Sequence, residues 1–378
     1  MRKKRFHGFH ILASVVAACI ATVLLMLSVV QLRVGGGALT LLSAYELIQD
    51  KFVGPYDETQ VVDRALSSMV NALGDQWSYY LTAEEYEEQN LRRTNHYVGI
   101  GVTVEYTREE GLLITEVTEG GPADEAGIVA GEIITTVDGE SIAGEARYNG
   151  STMITGQEDT QVVLTLLSPD GTARTITVVR AALESQPVTS EMLEGGIGYV
   201  ALANYYDGSA AMTEQAVNDL LEAGAASLIF DMRNNGGGYL TELTQLLDYI
   251  LPEGPIFRSR DKAGNETVEQ SDADCIEGVP MVVLVNESTY SAAEFFAAAL
   301  QEQGYAVIIG DHTSGKGYAQ QTYPLPGGSA MGISTSEYTT GGGASLIGTG
   351  VTLDQEVALT GEGDSQLEAA IAYLAAQP

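Results

Sequence analysis

The sequence predicts an α/β core preceded by a β-rich module and a helical segment, on a chain that opens with one apolar span. Three observations predict it. From Gly195 onward, short apolar runs alternate with stretches of helical periodicity. Between Tyr97 and about Arg180, short β-branched runs are punctuated by glycine. Near the start, 22 residues from Ile11 to Leu32 carry no charge.

About 20 apolar residues cross a bilayer as a helix, so Ile11–Leu32 predicts a single transmembrane helix. Arg2, Lys3, Lys4 and Arg5 precede it, which sets the N-terminus inside and the rest of the chain outside the cytoplasm. The run is longer than a signal-peptide core, which favours an uncleaved anchor. Val16-Ala-Ala-Cys19 also has the look of a lipoprotein cleavage box, and anchor against lipoprotein at Cys19 stays open. Gly35 to Gly37 predicts a flexible hinge.

Ala38 to about Leu91 has helical spacing, as in Val61, Val62, Ala65, Leu66, Met69 and Val70. Thr82 followed by Glu85 predicts a capping box, and the aromatic cluster around Trp77 predicts packing. Beyond it, Val98–Val104 and Leu112–Val117 predict strands, and Gly121–Gly127 a turn with a short helix. A strand then ends at the Asp138-Gly139 turn, and Ser168-Pro-Asp-Gly171 joins a hairpin. The alternating part predicts strands at Ile197–Leu202, Ser227–Met232, Met281–Val285 and Ala306–Ile309. Helices are expected at Ala211–Ala223, Leu240–Leu251 and Ala292–Gln303. This pattern points to parallel strand pairs.

Charge narrows the function. The chain holds 51 acidic and 18 basic residues. Five of the basic ones (Arg2, Lys3, Lys4, Arg5 and Arg33) lie at the N-terminus, leaving 13 against 51 in the remainder. Nucleic acid is excluded as a partner, because its phosphates need Lys and Arg. The two cysteines, Cys19 and Cys275, sit too differently to pair, so the core must hold the fold. No Cys/His cluster is present to ligate a metal, and no cofactor is expected.

Lysine outside the N-terminal tail occurs only at 51, 262 and 316. Lys316 stands between Gly315 and Gly317, 25 residues after Ser291, which itself opens a run of small residues entering a helix. A serine becomes a nucleophile when a base takes its proton, and a lysine does this once burial lowers its pKa. The bland reading is a solvated loop lysine beside a capping serine. His312, four residues before Lys316, is the only histidine close enough to serve as an alternative base.

Several motifs together resemble the carboxyl-terminal processing peptidases, also called tail-specific proteases. The likeness covers nearly everything after the apolar run. Tyr97-Val-Gly-Ile-Gly101, Gly120-Gly-Pro-Ala-Asp-Glu-Ala-Gly127 and Val137-Asp-Gly139 are similar to a PDZ module. Phe230-Asp-Met-Arg-Asn-Asn-Gly-Gly-Gly238, Ser291-Ala-Ala-Glu294, Gly315-Lys-Gly317 and Gly350-Val-Thr-Leu-Asp-Gln-Glu-Val357 are similar to the peptidase core. The resemblance implies a core of ClpP/crotonase type, with Ser291 as nucleophile, Lys316 as general base and Gln320 orienting the lysine. On a helical or turn segment Gln320 would return to the face of Lys316, and an amide there adds no charge. It implies an oxyanion hole from the amides of Gly237 and Ala292, and Asp231 and Arg233 as braces of the turn. Val98, Gly99 and Ile100 would receive a peptide's terminal carboxylate as the peptide adds a strand.

There are departures. Gly236 stands where proline is common, which loosens the turn. Ala293 replaces a second serine, leaving Ser291 as the nucleophile of that stretch. Thr155-Gly-Gln-Glu-Asp-Thr160 replaces a basic segment that could couple peptide binding to catalysis.

The reading that follows is a membrane-anchored, extracytoplasmic serine endopeptidase acting on proteins with exposed C-terminal tails, with self-association as a dimer open. Its domains are 1–37 (tail, anchor, hinge), 38–93 (helical), 94–182 (PDZ-like) and 183–378 (peptidase core). The alternatives are a non-catalytic anchored PDZ scaffold and crotonase-like acyl chemistry on a small thioester.

Overall fold

The structure, a computed structural model, describes residues 15–16, 22, 36–359 and 363–377. The expected anchor, Ile11–Leu32, and the lipoprotein alternative at Cys19 therefore lie outside the described residues, apart from Val15, Val16 and Thr22. Among the described residues, no helix is long and apolar enough to cross a membrane. The chain divides into two units, residues 1–65 and 66–378.

In the first unit a helix, α1, covers 36–51. The expected hinge is thus corrected where it is described: Gly36 and Gly37 are helical. Its Gln49 amide donates to Glu58 Oε1 at 3.0 Å, where α2 (Glu58–Asn71) begins.

The larger unit is built around three sheets. Its opening elements are β1 (Tyr79–Leu81) and α3 (Ala83–Arg93). The expected capping box is present: Thr82 Oγ1 accepts from the Glu85 amide, and the Glu85 carboxylate accepts from the Thr82 amide. From Tyr79 the chain pairs in antiparallel register with a core strand, Tyr79 opposite Gly332.

The β-rich module follows: β2 (His96–Gly99), β3 (Val102–Arg108), β4 (Gly111–Val117), α4 (Pro122–Glu125), β5 (Ile133–Val137), β6 (Glu140–Ser141), a 3-10 turn at Gly144–Asn149, α5 (Gly150–Ile154), β7 (Gln161–Leu167) and β8 (Ala173–Val179). Its sheet has the order β3-β4-β5-β7-β8, with β6 on β5. Leu112, Ile114, Ile134, Val162, Leu164 and Leu166 alternate inward and are fully buried, as period-two strands with one wet face require. The module is tied in at both ends by one antiparallel pair, β2 with β9 (Ala181–Glu184).

The alternating region then gives β10 (Val188–Leu193), β11 (Ile197–Leu202), α6 (Ser209–Glu222), β12 (Ser227–Asp231), α7 (Leu240–Ile250), β13 (Gly254–Asp261), β14 (Glu266–Ser271), β15 (Met281–Val285), α8 (Ala292–Glu302), β16 (Ala306–Gly310), β17 (Tyr318–Pro324), β18 (Ala330–Thr340), β19 (Gln355–Glu356) and α9 (Ser365–Ala375). The central sheet runs β10-β11-β12-β15-β16-β19, parallel except for the β10–β11 pair. Both faces are covered, which explains the unbroken apolar runs of β12 and β15. Phe230, Val283 and Ile308 point to the face carrying α6, α7 and α8. Ile229, Val282 and Ile309 point to α9.

The third sheet was not expected. It has the order β1-β18-β13-β14, with β17 on β18. The strand β18, Ala-Met-Gly-Ile-Ser-Thr-Ser-Glu-Tyr-Thr-Thr, has little apolar character and only partial burial, so its period is faint in the sequence.

Candidate active site

Three consecutive neighbours in the central sheet, β12, β15 and β16, are parallel, so their carboxyl ends lie side by side. Loops leaving those ends are where an open α/β sheet gathers a site. From β12 comes the glycine turn 236–238, from β15 the loop to Ser291, and from β16 the loop to Lys316. Ser291, Lys316, Gln320, Ala292, Gly236 and Gly238 all line one cleft of about 460 Å³.

Ser291 is held at φ 60° and ψ −126°, immediately before α8. A left-handed serine is strained by about 1–3 kcal/mol, and such strain persists where neighbours over-determine it. Here the neighbours are specific. Ser291 O accepts from the Phe295 amide at 2.8 Å. On the other side Gly237, at φ +81°, lies so close that a Cβ there would come within 2.8 Å of Ser291 Cβ and 2.7 Å of the Ala292 nitrogen. Only glycine permits this approach. Gly236 is equally constrained: a Cβ would meet the Tyr290 hydroxyl at 2.6 Å. The glycine at 236 therefore leaves room for the end of the Tyr290 side chain against the turn.

Lys316 is set by its backbone. Glu294, fully buried on α8, accepts from the Lys316 amide at 2.9 Å, from the Gly315 amide at 2.8 Å and from the Thr313 hydroxyl. Burial pushes the Glu294 carboxyl up, against the pull of those donors and of the Lys316 charge. The Lys316 carbonyl accepts from the Tyr338 hydroxyl at 2.6 Å. Tyr338 is buried, its phenol is held well above the ordinary range chiefly by that burial, and its hydroxyl also interacts with the Ser291 side chain. It thus holds the lysine loop.

The Lys316 ammonium lies 5.0 Å from the centre of the Trp77 ring and 5.7 Å from that of Tyr290. Burial is the main cause that lowers its pKa to about 8, assisted by the charge on Arg93 and opposed by Asp75 and Glu294. Cation–π attraction favours the charged form, yet the lost hydration outweighs it. Near neutral pH a measurable fraction of such an amine is free to accept a proton. Trp77, expected only to pack, is thus part of the site. No spacing marks it, because it reaches Lys316 from 239 residues away in sequence.

Gln320 needs a correction. It lies on β17, not on a helix or turn, beside a register shift at Ala319/Gln320. Its amide donates to the Tyr318 carbonyl at 2.7 Å and to Ser334 Oγ at 3.0 Å. Ser334 in turn donates to Asp75 Oδ2 at 2.7 Å. The oxyanion assignment also changes. Gly237 donates its amide into its own turn, to Asn235 Oδ1 at 2.8 Å, because the buried Asn235 side chain is what shapes that turn. The Ala292 amide sits at the first position of α8, where helix N–H groups have no intrahelical partner and the dipole favours negative charge.

Asp231 and Arg233 brace the turn as expected. The Arg233 guanidinium pairs with Asp231 and, at 2.7 Å, with Asp364. His312 is the poorer base: its side chain is 72% exposed and paired with Asp311 at 2.9 Å. Val98 and Gly99 sit in β2, already paired with Ala182 and Ala181. Ile100 is buried, and its carbonyl accepts from the Ala123 amide at 2.8 Å. The sheet edge next to them in sequence is β3.

Residues 196–357 match the model of peptidase family S41, and residues 113–180 match a PDZ domain. The chloroplastic C-terminal processing peptidase of Tetradesmus obliquus is 29% identical over 321 residues, covering 80% of this chain and 69% of that protein. The carboxy-terminal processing protease CtpA of Bacillus subtilis (strain 168) is 29% identical over 301 residues, or 79% of this chain and 64% of that protein. The chain thus spans about two thirds of the length of these curated relatives. Among solved structures, the photosystem II D1 C-terminal processing protease is similar with a TM-score of 0.50 at 29% identity, over 83% of this chain and 85% of that one.

Proposed function

Because this chain belongs to peptidase family S41, carries a PDZ domain and is a serine-type peptidase, we propose that it is a C-terminal processing endopeptidase in which Lys316 activates Ser291. The observation that carries this reading is the partly buried seat of Lys316 against Trp77 and Tyr290, in the cleft that Ser291 also lines. Neutral Lys316 takes the Ser291 hydroxyl proton as the oxygen bonds to the substrate carbonyl carbon. The resulting ammonium returns that proton to the leaving amine, and the acyl ester remains on Ser291. Lys316 then takes a proton from water as its oxygen bonds to the acyl carbon, and the ammonium returns that proton to Ser291 Oγ as the ester bond breaks and the acid leaves. The Ala292 amide meets the developing oxyanion. Gly237 contributes a second donor only after releasing Asn235. Gln320 acts at a remove, holding Ser334 and through it Asp75.

In this reading the substrate is a protein with an exposed apolar C-terminal tail, added as a strand along β3 of the PDZ domain. The catalytic part is extracytoplasmic and anchored through Ile11–Leu32, an assignment resting on the length of that run and the basic residues before it.

A fluorophosphonate should label the wild type at Ser291, and casein should be digested. Ser291→Ala and Lys316→Ala should each lose about 10³-fold or more in cleavage, with unchanged circular dichroism. A Ser291→Ala protein that still digests casein at the wild-type rate removes the mechanism.

A further inference from the structure

We propose that Arg93 forms a carboxylate-binding subsite inside the catalytic cleft, selecting peptides that carry one acidic group beside the scissile bond. This rests on reading that cleft as the place where peptide is cut.

The face of α3 that carries Tyr86, Gln89 and Arg93, at positions i, i+3 and i+7, lines the same cleft as Ser291 and Lys316. The Arg93 guanidinium is fixed without being neutralised. One nitrogen, Nη2, donates to the Tyr79 hydroxyl at 3.3 Å, and the group lies 5.6 Å from the centre of the Tyr239 ring. Tyr79 is itself tied to Thr322 at 2.9 Å. Both supports are uncharged.

Arg147, Arg180 and Arg258 are held by backbone carbonyls, and four further arginines by carboxylates, whereas the Arg93 side chain faces the cleft with neither among the described residues. The neighbouring Arg92 pairs with Glu88, Arg174 with Glu132, Arg233 with Asp231 and Asp364, and Arg260 with Glu337. Among the described residues Arg93 has no carboxylate partner within 4.0 Å. An arginine carries five donors in a planar fork, and that fork matches a carboxylate with two parallel bonds. A second, independent observation lies one turn away. Gln89 Oε1 is buried with no hydrogen-bond partner among the described residues. An orphaned buried acceptor is costly, and a peptide N–H would satisfy it once the Gln89 side chain turns into the cleft that it lines. A bound peptide with a carboxylate would complete both groups at once.

The carboxylate has two possible sources, an Asp or Glu side chain near the cut or the terminal carboxylate of a short tail. Two peptide sets separate them. In one, a quenched fluorogenic peptide with a constant free C-terminus carries Glu or Gln at each position around the cut. In the other, the same peptide ends as free acid or as amide. Each set is assayed with the full-length wild type, Arg93→Gln and Arg93→Lys, and the readout is the acid-to-amide ratio of kcat/KM within one variant. That ratio cancels any effect of Arg93 on Lys316.

For one position or for the terminus, the wild-type ratio should be about tenfold, carried by KM, as a charge-assisted pair warrants. It should fall to near one in Arg93→Gln and be largely kept in Arg93→Lys. A ratio that is the same in wild type and Arg93→Gln overturns the subsite, including a terminal preference that persists because the PDZ domain owns it. Should none of the peptides be cleaved, the peptidase reading fails separately. Fluorescence anisotropy with the same pairs would then decide the subsite on binding alone, with equal affinity of acid and amide overturning it.

Discussion

The loops that carry Ser291 and Lys316 and the strand that carries Val98 and Gly99 are both glycine-rich, but they are held very differently. The loops of the candidate site leave the ends of adjacent parallel strands and are tied down several times over. Glu294 holds one, Asn235 shapes another, and Arg233 locks the turn base to Asp231 and Asp364. The segment 96–99 has one partner, the four-residue strand β9. Groups that must meet at bonding distance sit on backbone with little freedom, as preorganised catalysis requires. Groups that tether a recognition module sit on a pair of short strands. Stability is not spread evenly through such a fold, and the less constrained segments open first.

The strongest way to break that contrast is to cut the ties on the catalytic side. Glu294→Gln keeps the shape of the side chain. It replaces one acceptor oxygen with an NH₂ that faces either the Lys316 amide, at the place of Oε2, or the Gly315 amide and Thr313 hydroxyl, at the place of Oε1. Leaving a buried donor unmet costs about 1–3 kcal/mol. A lysine loop displaced by a fraction of an ångström should cost about 100-fold in kcat, with KM changed little. Stopped assays and a thermal melt check this together. A variant with wild-type kcat would mean that Glu294 is only a structural plug.

Much of this division was legible in the sequence. The strands Ile197–Leu202, Ser227–Met232 and Met281–Val285 were readable because a doubly covered parallel sheet writes itself as unbroken apolar runs. The positions of Ser291 and Lys316 were readable because small residues and glycines surround them. The third sheet was not readable. Strands such as β17 and β18 are half-wet and rich in Ser, Thr and Gln, so neither period stands out. That is why Gln320 was assigned to a helical or turn face. Trp77, Tyr338 and Glu294 were missed as site residues for a related reason. Each acts through a long-range contact, and an isolated aromatic or glutamate in sequence looks like any other.

The pH profile sharpens the comparison from the other direction. A base with a pKa near 8 gives kcat/KM that rises as pH passes from about 7 to 9, since protonated Lys316 cannot accept. Trp77→Ala admits water beside the ammonium. Burial is the main cause of the lowered pKa, so its loss moves the midpoint upward, toward the ordinary value of 10.5. The lost cation–π contact with Trp77 pulls the other way but is the weaker effect here. A rise of about one pH unit would lower kcat/KM at pH 7 about tenfold. Asp75, Arg93 and Glu294 also face the amine, so their variants serve as controls with known signs: removal of either acid lowers the midpoint and removal of Arg93 raises it. A midpoint that stays put in Trp77→Ala would show that the ring does not keep Lys316 dry.

On the recognition side the expected effects are small, because the groups are exposed. The outer strand β3 is the free edge of the PDZ sheet, but at Tyr106 it is already occupied. The Tyr106 carbonyl accepts from Arg147 Nε at 2.8 Å, its hydroxyl bonds Ser151 at 2.7 Å, and its ring stacks on Tyr148 at 5.7 Å. A peptide pairing with this edge competes with Arg147 for that carbonyl. Exposed polar contacts of this kind are worth at most about 1 kcal/mol. Arg147→Ala should therefore tighten binding of an apolar-tailed peptide about two- to threefold, measured by anisotropy, while leaving fluorophosphonate labelling of Ser291 unchanged. Weaker binding in that variant would mean that Arg147 grips the peptide itself. The tail would then be held by a charge rather than by the strand edge, and the module would recognise tails by chemistry more than by backbone pairing.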